Sequence, residues 1–104
     1  MITKKKSATM KFLEKTAGRT LSMGGLLESL RLSEEMSQIA FAKKLKISPS
    51  HLCDIEKGRK AVSAARAANF AEALHRSQAQ FVRLALQDEV QRSGLKLKVN
   101  VKAA

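Results

Sequence analysis

Apolar residues recur along this chain with two different periods. Between Gly25 and Glu35, Leu26, Leu27 and Leu30 stand at i, i+1 and i+4, which lines one face of a helix, with Leu32 close behind. Ser22 is placed to cap its start, and Gly24-Gly25 weakens its first turn. A second helix opens at Ser37 and carries Ile39, Phe41, Ala42 and Leu45, with Lys43 and Lys44 outward; it is short and stops near Lys46. Ile47-Ser48-Pro49-Ser50 then starts a third, because proline has no N–H to lose at the first helical position and its φ is already helical. Leu52 and Ile55 face inward, and Gly58 is the residue expected just past the end. Ser63 caps a fourth helix, Ala64 to Leu74, which carries Phe70. Ser77-Gln78-Ala79-Gln80 has the spacing of a capping box and opens a fifth helix to about Arg92, ended by Gly94.

From Leu95 the period changes to two. Leu95, Leu97, Val99 and Val101 alternate with Lys96, Lys98, Asn100 and Lys102, the pattern of a half-buried strand. One strand cannot satisfy its own ladder groups, and the chain offers no other convincing strand. The fifth helix carries Phe81, Val82, Leu84, Ala85, Leu86 and Val90, a surface broader than one stripe. Such a helix is either fully buried in its own domain or shared with a second copy. The unpaired strand favours a homodimer, with Phe81, Leu84, Leu95, Leu97, Val99 and Val101 supplying the interface. The chain thus divides into a basic segment (1–22), a helical domain (23–93) and a C-terminal strand (94–104). In the basic segment, Phe12 and Leu13 suit a short helix ending near Gly18, and Lys4-Lys5-Lys6 reads as a solvated terminus rather than an arm on DNA.

Composition narrows the picture. At 104 residues the chain is one domain, and with no Trp or Tyr and only four Phe its core must be mostly aliphatic. Twenty Lys and Arg against nine Asp and Glu leave a formal charge of +11. That surplus calls for an anionic partner, most commonly a phosphate backbone, although anionic membranes and acidic proteins attract the same charge. Cys53 stands alone, so no intrachain disulfide can form, which fits a reducing cytosol. No apolar run reaches the length of a membrane span, and no signal-peptide core follows the basic start, so a cytoplasmic protein is expected.

The stretch that carries chemistry runs from Ser37 to Arg59. Small Ala42 suits a close helix crossing, Ile47, Leu52 and Ile55 fill the angle, and the outer face of the third helix is polar with basic flanks. A major-groove reader needs this arrangement: polar side chains for base edges and cations for phosphates. The S-Q-x-x-F-A-K-K-L opening, the I-S-P-S-x-L-x-x-I-E-x-G-R core and the Ser63 cap resemble the Xre/Cro-type helix-turn-helix family of phage repressors and bacterial regulators, from about Leu26 to Leu74. The resemblance implies an all-α, five-helix lambda-repressor-like DNA-binding domain, here followed by a C-terminal β-strand. It directs Ser48, Pro49, Ser50 and Asp54 toward base edges, Gln38 to a phosphate, and Lys57, Arg59 and Lys60 to the backbone. His51 is a polar face residue that belongs with this DNA-binding set. Pro49 can offer only an apolar contact, such as one to a thymine methyl, and Asp54 either accepts from cytosine N4 or caps a neighbour. Arg31 and Glu56 match a family ion pair between the first and third helices; the competing partner for Glu56 is Lys60 at i+4. Lys46 stands where the family often has glycine, which calls for strain or a tolerated left-handed residue. The segments from Phe81 to Asp88 and from Gly94 to Val99 resemble short dimeric regulators of the family, HigA-like antitoxins among them.

Other chemistry is not expected. His51 and Cys53 sit at i and i+2 and point apart, and His75 is distant, so no metal site is assembled. Glu34-Glu35 and Asp88-Glu89 project in different directions, and there is neither a phosphate loop nor a catalytic triad. The chain reads as a non-enzyme without cofactors. The expected function is a dimeric repressor of its own operon on double-stranded operator DNA, with a cognate toxin as a further partner. The competing readings are a protein-interaction module that uses the fold as scaffold only, and a nonspecific nucleoid-type binder.

Overall fold

The computed structural model describes residues 22–104, so the expectations for the segment before Ser22 lie outside the described residues. The described residues form five helices: α1 (Met23–Ser33), α2 (Gln38–Leu45), α3 (Pro49–Glu56), α4 (Ala64–Ala73) and α5 (Gln78–Arg92). Each begins with a serine whose hydroxyl accepts from the backbone N–H three residues on. Ser22 accepts from Gly25 at 3.0 Å, Ser37 from Ala40 at 3.1 Å, Ser48 from His51 at 3.0 Å, Ser63 from Arg66 at 3.1 Å and Ser77 from Gln80 at 3.2 Å. A cap of this kind is worth about 0.5–2 kcal/mol over alanine. With eight residues each, α2 and α3 are too short to persist alone; the caps fix where they start and packing keeps them.

The helix ends are equally uniform. Each is closed by a left-handed residue, in order Glu35, Lys46, Gly58, His75 and Gly94, and by a backbone bond from the residue after it to a carbonyl five positions back. Lys46, at φ 63° and ψ 41°, is the tolerated left-handed residue that the missing glycine requires. Ile47 N–H then returns to the Ala42 carbonyl at 3.0 Å, which turns the chain sharply between α2 and α3.

One core joins all five helices. Leu27, Phe41, Ala42, Leu52, Ile55, Ala67 and Phe70 are buried in it, and Phe81, Leu84 and Ala85 cover it from α5. Ile39, grouped with the apolar residues of α2 by its sequence, lies outside the core and is 70% exposed. Gly24 has a role beyond weakening a turn. A side chain there would run into the Ile55 carbonyl oxygen and come within 3.2 Å of Glu56 Cα, so glycine lets α1 lie against the end of α3. At the same end, Met23 N–H donates to Asp88 Oδ2 at 2.9 Å across 65 residues of sequence. Burial pushes the Asp88 carboxyl above the usual carboxylate range, outweighing the Met23 N–H and nearby Arg92.

Two expectations are corrected here. Phe81 and Leu84 are not available to a partner, because α5 turns them into the chain's own core. The tail beyond Leu95 forms no strand among the described residues, since no second backbone segment pairs with it there. A side chain serves instead. Buried Gln87 donates from Nε2 to the Leu97 carbonyl at 2.8 Å and accepts at Oε1 from Val99 N–H at 2.8 Å. Its amide thereby imitates one residue of a neighbouring strand. Val99 and Val101 are half-buried, whereas Leu95 and Leu97 remain 51% and 62% exposed. Among the described residues no helix is long and apolar enough to cross a membrane.

Candidate nucleic-acid interface

Helix α3 buries one face and displays the other. Leu52 and Ile55 are in the core; Ser48, Pro49, Ser50, Lys57, Arg59 and Lys60 are exposed, and His51, Cys53 and Asp54 are half-buried. The helix is fixed in rotation by Glu56, whose side chain is only 3% exposed. Arg31 of α1 reaches it with two bonds, Nε to Oε2 at 2.8 Å and Nη2 to Oε1 at 3.1 Å. Arg31 also donates to the Met36 carbonyl at 3.1 Å. The bond to Glu56 holds the guanidinium above its ordinary pKa despite the cost of burial. Gln38 of α2 adds a third bond, Nε2 to Oε1 at 2.9 Å. One carboxylate therefore ties three helices together. Lys60, the competing partner for Glu56, is exposed beyond the helix end.

This places Gln38 differently from its sequence expectation. Its amide is committed to Glu56, and what it can still offer a phosphate is the second amide hydrogen. Asp54 is held by Arg59, Nε to Oδ1 at 3.0 Å, with Nη2 at the same distance. Two residues expected to meet DNA thus neutralise each other in the free protein. Arg59 Nη2 also lies 4.0 Å from Cys53 Sγ.

Arg66, in the first turn of α4, had no place in the sequence reading. Its Nη1 lies 3.5 Å from His51 Nδ1, so it extends the basic margin of α3 onto a second helix. The available signal was its position three residues after the Ser63 cap. Burial lowers the His51 pKa, and so do Arg66 and Lys60, while Asp54 acts in the opposite sense. An exposed ion pair, Lys44 Nζ to Glu34 Oε1 at 3.1 Å, was not anticipated either. Among the described residues, no group of three His, Cys, Asp or Glu side chains could hold a metal ion.

Two short helices set at a sharp turn, the second showing a polar face with a cationic margin, make a groove-reading unit. A family model described as a helix-turn-helix domain matches residues 22–84. The chain belongs to that helix-turn-helix family. The match begins at the Ser22 cap and ends within α5, before Gln87 and the tail. No curated protein and no solved structure matches the chain. Membership in a helix-turn-helix family suits the +11 charge to DNA binding.

Proposed function

We propose that this chain is a sequence-specific transcriptional regulator of the Xre/Cro type, a cytoplasmic homodimeric repressor that occupies a palindromic operator of its own operon. The observation that carries the reading is the outer face of α3: Ser48, Pro49 and Ser50 exposed on a helix that Glu56 holds from behind. Ser50 and Asp54 choose bases, Pro49 meets a thymine methyl, and Lys57, Arg59 and Lys60 hold phosphates. Asp54 and Arg59 must part, or turn together, to do so. This cost is incurred on any DNA and repaid only where a base satisfies Asp54, which favours the correct operator.

The dimer is proposed from the tail. Gln87 holds one edge of the tail, and among the described residues the backbone groups of Lys96, Lys98 and Asn100 bond to nothing, which leaves them to a second copy. Two tails paired antiparallel about a two-fold axis complete a two-stranded ladder and cover Leu95 and Leu97, and there the expected strand would form. The likeness of this region to HigA-like antitoxins extends the proposal to an antitoxin with a cognate toxin. The scaffold-only reading is disfavoured by the cationic margin, which a protein-interaction module does not need.

The test is selection of binding sites from random duplexes, followed by comparison of variants on selected and random DNA. Ser50→Ala and Asp54→Ala are expected to lose about 1–3 kcal/mol of discrimination. Lys57→Ala should weaken both duplexes alike. Equal losses on both for the first two variants would remove α3 as the reader.

A further inference from the structure

Three cationic or protonatable side chains converge where α3 meets the start of α4. His51 comes from the first turn of α3, Lys60 from the connection after it and Arg66 from the first turn of α4. The pair His51 and Arg66 approaches to 3.5 Å, Nδ1 against Nη1, without an intervening carboxylate. Arginine has donors only, so a hydrogen bond between the two needs a neutral imidazole whose Nδ1 accepts. A protonated His51 would present N–H against N–H. Asp54, whose charge acts on His51 in the opposite sense, is already held by Arg59. The cleft beside this cluster is lined by Lys46, Ser63, Arg66 and Asn69, with exposed Glu72 farther along α4. The free protein thus sets cations around an imidazole that can accept from Arg66 only while unprotonated, on the face that carries the proposed DNA-contacting residues.

We propose that His51, Lys60 and Arg66 form a site for one backbone phosphate, and that His51 takes up a proton from solvent when the phosphate arrives. The inference rests on the DNA-binding reading and adds to it a residue, Arg66, and a pH dependence. A phosphate oxygen is an acceptor for both partners. Arg66 swings its Nη1 from His51 to that oxygen, and the imidazolium donates to the same phosphate. Lys60 supplies a third charge. The sign follows from linkage. In the free protein burial, Arg66 and Lys60 all disfavour imidazolium, with only Asp54 against them. The negative charge of the bound phosphodiester opposes that balance and favours imidazolium, so the complex holds more protons than its parts. Affinity therefore rises as pH falls across the imidazole range, and flattens below and above it. Each unit by which binding raises the imidazole pKa contributes about tenfold per protomer between those limits. Because the contact is to phosphate, the effect appears on random as well as selected duplexes.

The experiment measures affinity of the full chain for a random-sequence duplex and a selected duplex across the imidazole range, at fixed salt. Wild type should bind both several-fold more tightly at the acidic end. His51→Gln should bind with little dependence on pH, while His75→Gln, which removes the other histidine, keeps the wild-type slope. Arg66→Gln should lose affinity on both duplexes, and Arg66→Lys should recover part of it. The His51 imidazole resonances, followed by NMR, should titrate at higher pH with DNA than without. Equal pH slopes for wild type and His51→Gln, or an imidazole titration unmoved by DNA, would overturn the phosphate site while leaving DNA binding intact. A wild-type chain that bound neither duplex at any pH would overturn the DNA-binding reading itself, and this inference with it.

Discussion

Glu56 accepts three side-chain hydrogen bonds from two other helices and is nearly sealed from water. Removing one partner leaves a buried carboxylate short of donors, which commonly costs about 3–5 kcal/mol, against under about 1 kcal/mol for an exposed pair. Arg31→Ala is accordingly expected to lower stability by several kcal/mol in urea unfolding. Arg31→Lys should recover little, because an ammonium cannot make the paired contact. A double-mutant cycle with Glu56→Gln that gave no coupling would reject the pair as the cause. At this scale the sequence was legible unevenly. Leu52 and Ile55 were assigned inward by periodicity alone, and the Arg31–Glu56 pair came only through a family likeness. The family likeness placed Gln38 at a phosphate and left Asp54 either at a base edge or capping a neighbour; the sequence states what each can bond, not which neighbour reaches it first. In the fold, Glu56 and Arg59 do.

At the scale of the helix, starts were easier to read than stops. A serine three residues ahead of a free N–H is visible in the sequence, and all five starts rest on one. Of the five stops, Gly58 and Gly94 were visible because glycine marks a left-handed residue, whereas Glu35 and His75 carry no such mark. Gly24 was read only in part, for the converse reason. Its lack of a side chain matters for the approach of α1 to α3, a tertiary contact that local propensity cannot reveal. Gly24→Ala separates the two effects. Helix propensity alone predicts a gain of about 1 kcal/mol. The collision with the Ile55 carbonyl predicts a net loss instead, because backbone must move. A lower melting temperature than wild type is the expected result, with weaker DNA binding as α3 is displaced. A rise in melting temperature would mean that the contact is not close.

At the scale of the molecule, the apolar excess of α5 resolves into two populations. Phe81, Leu84 and Ala85 close the core, whereas Leu86 stays 37% exposed on the helix, and Leu95 and Leu97 add exposed apolar surface on the tail. Sequence could count those residues but not divide them, since the division depends on which way a long helix rolls against α4. Deleting residues 95–104 is expected to give a folded, largely monomeric protein with much weaker operator affinity, read by sedimentation and by DNA titration. A truncated chain that sedimented as a dimer and bound the operator normally would relieve the tail of that role. The repeated serine start and left-handed stop have a kinetic consequence as well. Each helix has its limits written within a few residues of itself, and α2 with α3, like α4 with α5, packs against its neighbour in the chain. Few distant segments need to find one another, which places folding among rapid helical domains, in about the microsecond-to-millisecond range. The longest loop to close is the one sealed by Met23 and Asp88, so the earliest-made part of the described chain must wait for the last helix before it is locked. Once α5 is present to close that loop, the groove-reading face is complete within the folding time of the helical unit, so the rate of synthesis rather than of folding sets when it appears.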